Sequence, residues 1–91
     1  MTLYFLTYRD EAAPDGFVRW FFWSQKKRAA GLASLKRGYA EDVAEAKKRE
    51  EAGEIYPAYP TYSVDDVDLE ELELSGTPKQ MIMQALERFF G

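Results

Sequence analysis

The chain is 91 residues long, enough for one hydrophobic core and too short for two. It is 46% hydrophobic and 15% aromatic with a formal net charge of −4, so it can bury a core and is not a disordered tail. It contains neither cysteine nor histidine, which excludes disulfide scaffolds, thiolate zinc sites, iron–sulfur clusters, cysteine nucleophiles and histidine-dependent acid–base chemistry.

Thr2–Tyr8 (TLYFLTY) is β-branched and aromatic without Gly or Pro, which predicts a strand apolar on both faces. Leu3 and Phe5 point one way; Tyr4, Leu6 and Tyr8 point the other. Pro14-Asp15-Gly16 carries turn chemistry, and Phe17–Trp23 (FVRWFFW) predicts a second strand. The two form an antiparallel hairpin with a loop longer than the tight two-residue type. Trp20 and Trp23 differ by three positions and fall on opposite strand faces, so one of them is expected to be exposed.

Ser24 is placed to cap a helix that reaches about Ala52. Leu32, Leu35, Tyr39, Val43 and Ala46 recur at spacings of 3, 4, 4 and 3 and form a single stripe. Gly31 and Gly38 each weaken a helix by about 1 kcal/mol relative to Ala. A break at Gly38 stays open, although the continuous stripe favours one helix, ended by Gly53. The following GEIYPAYPTYS, with prolines at 57 and 60, is an extended connector. At three residues per turn, Tyr56, Tyr59 and Tyr62 would share one side, either lying over the core or offering an aromatic ridge to a partner.

Val64–Leu74 alternates in two pieces, Val67/Leu69 and Leu72/Leu74, whose parity differs. One strand across both would need a bulge near Glu70-Glu71, so the third strand is centred on Glu71–Leu74, near Leu72–Leu74, with the upstream part either an edge extension or a single helical turn. Thr77-Pro78-Lys79-Gln80 is a capping box with proline at the first helical position, and it predicts a helix from Pro78 to Phe90. The order β-β-α-β-α predicts a single α+β domain, a small mainly antiparallel sheet with helices on one face. Its expected core is Leu3, Phe5, Val18, Phe22, Leu32, Leu35, Val43, Leu72, Leu74, Ile82, Leu86 and Phe89.

Little in the chain carries catalytic chemistry. Asp66, Asp68 and Glu70 have the alternate spacing of a calcium loop, but the sixth position, where the sharp turn needs Gly, is Glu71. No Gly-rich phosphate loop is present. The expectation is a protein that is not an enzyme and has no cofactor, metal or catalytic residue. No apolar run approaches the ~20 residues of a membrane helix, and MTLYFLTYRDEA lacks the basic head of a signal peptide, which predicts a cytoplasmic protein.

Charge is segregated along the chain. Residues 24–40 hold Lys26, Lys27, Arg28, Lys36 and Arg37 and no acid; residues 55–76 hold Asp65, Asp66, Asp68, Glu70, Glu71 and Glu73 and no base. Such runs are either solvated faces or docking surfaces for an opposite charge. The acidic strip, spaced along an extended chain, suits the Lys/Arg surface with which a nucleic-acid-handling protein holds phosphate. The first expectation is therefore a protein-binding inhibitor or adaptor. The alternative is a nucleic-acid-associated module using the basic helix and an exposed tryptophan; Trp20 and the three tyrosines are further candidate partner contacts. In size and layout the chain is similar to small phage and prophage proteins, among which anti-CRISPR and other anti-defence inhibitors are common; that similarity implies an inhibitory role in a host cytoplasm and no particular residue. An acid-rich third strand at the sheet edge would repel its own copy, so any homodimer should use the hairpin or the long helix.

Overall fold

The computed structural model describes residues 1–90. In chain order it contains β1 (Thr2–Arg9), β2 (Phe17–Phe22), α1 (Gln25–Glu51), β3 (Asp68–Glu73) and α2 (Pro78–Phe90). The sheet is antiparallel with order β2-β1-β3, so the strand that is apolar on both faces takes the middle. The α+β class and the element order agree with the sequence reading.

The two helices do not share a face. Leu6 and Tyr8 of β1 pack with Leu35 of α1, and Trp20, Phe22 and Leu32 close around them. On the opposite face the Phe89 ring of α2 meets Phe5 and Phe21 edge-on, each at a centroid distance of 5.0 Å. The expectation of helices on one face is thus corrected, and the cause lies in β1. Its two wholly buried large side chains, Leu6 (0% exposed) and Phe5 (1%), point to opposite sides, and each side needs its own cover.

The same geometry corrects β3. The strand runs from Asp68 to Glu73 with an unbroken register, Leu69 opposite Leu6 and Leu72 opposite Leu3. The parity change is not a bulge; Leu69 serves the α1 side and Leu72 the α2 side. Leu74 follows as a buried anchor. Its N–H donates to the Met1 carbonyl at 2.7 Å, and its own carbonyl accepts from the amino-terminal ammonium at 2.9 Å.

Helix α1 passes through Gly38 without a break. The Ser24 hydroxyl accepts from the Lys27 N–H at 3.1 Å, and Gly53 ends the helix with φ +90°. Gly31 has a use the sequence reading did not see: a Cβ there would overlap the Phe22 ring, so its absence lets α1 close on β2. At a rise of 1.5 Å per residue the helix is about 40 Å long and overshoots the sheet, which explains a longest dimension of 57 Å.

The proline-rich return covers part of that overshoot. Tyr62 packs against Tyr8 and Tyr39, and its hydroxyl donates to Asp42 at 2.8 Å; the Tyr59 hydroxyl donates to Glu50. Burial and the Asp42 carboxylate together push the Tyr62 phenol up to about 12. A folded-state value raised above the ordinary 10 stabilises the fold below that pH and is lost as pH rises through the folded value. Unfolding stability in denaturant should therefore fall between about pH 10 and 12, and Tyr62→Phe should flatten that decline. Tyr8, raised mainly by burial and then by Asp10, and Tyr59, raised mainly by its hydrogen bond to Glu50, act in the same direction.

Helix α2 is held by its N-terminal cap and by a few contacts along its length. Thr77 and Gln80 form the expected reciprocal cap, Gln80 Oε1 accepting from the Thr77 N–H at 2.8 Å and Thr77 Oγ1 from the Gln80 N–H at 3.3 Å. Gln84 bonds both ways to the Ser75 backbone, and Arg88 reaches Glu70 at 3.4 Å. Among the expected core residues, Ile82 and Leu86 prove exposed, at 61% and 51%. The side of α2 that meets the sheet carries Met81, Ala85 and Phe89, one step round the helix. Leu6, Tyr8, Ala46 and Thr7 are buried without having been expected there.

Candidate functional site

Strand β3 is an outer strand, and all six acids of the strip are exposed. They do not form one surface. By register, Asp68 and Glu70 share the α2 side of the sheet, while Glu71 and Glu73 share the α1 side; Asp65 and Asp66 lie in the turn before the strand. Two are already engaged. Glu70 faces Arg88, and Glu73 accepts from Thr2 Oγ1 at 2.6 Å and lies 3.4 Å from the terminal ammonium. The Thr2 hydroxyl, then the ammonium, holds the Glu73 carboxyl below its ordinary range. Asp65, Asp66, Asp68 and Glu71 make no ion pair among the described residues.

The backbone adds to this edge. Met1 and Leu74 exchange both of their hydrogen bonds, and antiparallel alternation then gives β1 the polar groups of Leu72, Glu70 and Asp68. Those of Leu69, Glu71 and Glu73 point outward. Beside them lies a groove of about 420 Å³ between Leu69 and the α1 residues Arg28, Leu32 and Lys36. An extended chain laid along β3 would find backbone partners, carboxylates on both sides and this groove at its flank.

The basic block is dispersed around α1. Arg28 lies over the Tyr4 ring at 5.4 Å and donates to the Glu70 carbonyl at 2.7 Å, so it serves the fold. Lys26, Lys27, Lys36 and Arg37 are exposed, but at 3.6 residues per turn Lys26 and Arg37 fall opposite the packed stripe while Lys36 borders it. Trp20 is half-buried with its ring edge-on to Tyr8 at 5.7 Å. It is not the free tryptophan; that is Trp23, 61% exposed beyond the end of β2. The three tyrosines part company as well: Tyr62 is in the core, Tyr59 lies against α1, and Tyr56 stands in solvent. They do not form a ridge.

One surface escaped the sequence reading. Between α2 and the end of the hairpin lies a wholly apolar groove of about 430 Å³, walled by Phe21, Trp23, Ile82, Leu86 and Phe90 and floored by Leu3 and Leu74. The signal was present in Ile82, Met83, Leu86 and Phe90, which continue the apolar stripe of α2 past the width one sheet face can cover.

Among the described residues no group of three acids could hold a metal ion, and no helix is long and apolar enough to cross a membrane. No protein-family model, curated protein or solved structure matches the chain.

Proposed function

We propose that the protein is a non-enzymatic inhibitor or adaptor that works by protein contact, laying its acidic edge on a basic surface of a nucleic-acid-handling partner. The observation that supports this reading is the open backbone edge of β3, fringed by the unpaired carboxylates of Asp65, Asp66, Asp68 and Glu71. Strand addition would supply directional hydrogen bonds, and the carboxylates would select lysine and arginine that otherwise hold phosphate. The same charges oppose pairing with a second β3, because like charges facing across a strand pair destabilise it.

Affinity capture from bacterial lysate, with and without nuclease, tests the reading. A protein partner retained after nuclease and released at about 0.5 M salt is the expected result, since screening shortens the reach of surface charge. Recovery of nucleic acid alone, abolished by nuclease, would contradict it and move the contact to Lys26, Lys27, Lys36 and Arg37.

A further inference from the structure

We infer that the apolar groove between α2 and the end of β2 is covered by the same face of a second copy of this chain, giving a two-fold dimer. Helix α2 has no fully buried residue despite its strong amphipathic pattern. Its sheet-facing side is only half covered, and Ile82, Met83, Leu86 and Phe90 form a second apolar side that stays largely exposed among the described residues. Together with Phe21 and Trp23 these residues are between 47% and 84% exposed.

Area decides between an ordinary surface and an interface. Aromatic side chains offer roughly 150–250 Å² each and aliphatic ones somewhat less, so this patch exposes on the order of 600–800 Å². That exceeds the few hundred Å² of a typical monomer patch and matches the ~800 Å² per partner of a standard interface. A two-fold contact needs a surface complementary to itself. The groove wall carries no charge, so bringing two copies together sets no like charges face to face, in contrast with the β3 edge. The charges of α2 also suit an antiparallel pair. Lys79 sits in the first turn and Glu87 near the end, and Arg88, the other cation, is held by Glu70 and over the Phe5 and Phe89 rings. Antiparallel helices would bring the Lys79 end of one copy to the Glu87 end of the other and oppose their dipoles favourably.

Sedimentation equilibrium of the whole protein from about 1 to 200 µM tests this, because dimerisation shows as a concentration-dependent mass. The expected result is a dimer whose dissociation constant rises by at least about thirtyfold on Leu86→Asp, the loss typical of a central anchor. Ile82→Lys should do the same. Both sites are more than half exposed in the single chain, so the variants should keep the parent's far-ultraviolet circular dichroism as monomers. A monomer throughout the range would overturn the inference, as would a dimer that neither substitution weakens. A monomer that takes up an apolar dye in this groove would overturn it too.

Discussion

Leu6→Ala is expected to cost about 3–5 kcal/mol of folding stability, a large share of the ~5–15 kcal/mol available to a small domain. Leu6 is 0% exposed and lies opposite Trp20 on one neighbour and Leu69 on the other, under Leu35 of α1. Deleting its branched end removes contacts on every side, and the central strand cannot move inward to refill the space while it is bonded to both neighbours. Chemical denaturation at fixed pH checks the figure. The contrast is Leu86→Ala, which sequence periodicity alone would place in the same class. At 51% exposure, its truncation should cost under about 1 kcal/mol in the dilute monomer. Equal losses at the two positions would mean that α2 is packed far more deeply than described.

Phe5→Ala should be comparably damaging, about 3–5 kcal/mol, but through the other face. The Phe5 ring meets Phe89 edge-on at 5.0 Å and Phe21 at 5.9 Å, and Arg88 lies over it at 5.9 Å. With Phe21, whose ring also lies 5.0 Å from Phe89, it makes the aromatic contact between the sheet and α2; the polar ties are Gln84 to Ser75 and Arg88 to Glu70. The loss should therefore be uneven. Hydrogen exchange is expected to show the α2 amides losing protection before those of α1, since local openings follow the weakest packing. In Leu6→Ala the α1 amides should suffer first. Uniform loss in both variants would argue against two separately covered faces.

Much of the fold was legible because its signals are local. The Thr77–Gln80 cap, the Ser24 N-cap, the α1 stripe and the alternation of β1 each depend on a few neighbouring residues, and all of them agree with the structure. The placement of α2 was not legible in this way, because periodicity says that a face is apolar and not what covers it. A one-sided sheet was inferred although β1 already carried Leu3 and Phe5 against Leu6 and Tyr8. The apparent parity break in β3 had the same origin, Leu69 and Leu72 facing opposite sides of the sheet.

The candidate surfaces divided similarly. The acids of 65–73 were visible as a strip in sequence, but their distribution over two sheet faces and the engagement of Glu70 and Glu73 depend on distant partners, Arg88, Thr2 and Met1. The tyrosines looked equivalent by spacing. Asp42 and Glu50, brought close by the return of the chain along α1, set Tyr62 and Tyr59 apart from Tyr56.

The most direct test of the acidic edge as a contact surface is capture of the nuclease-resistant partner by the combined Asp65→Lys, Asp66→Lys, Asp68→Lys and Glu71→Lys variant. Glu70 and Glu73 are left in place because they tie β3 to Arg88 and to the amino terminus. The expected result is loss of capture with the parent's circular dichroism and a melting temperature within about 15 °C, since exposed substitutions away from packing usually change stability by less than ~0.5 kcal/mol each, about 2 kcal/mol for the four. Capture at the parent's level by a folded variant would contradict the proposal.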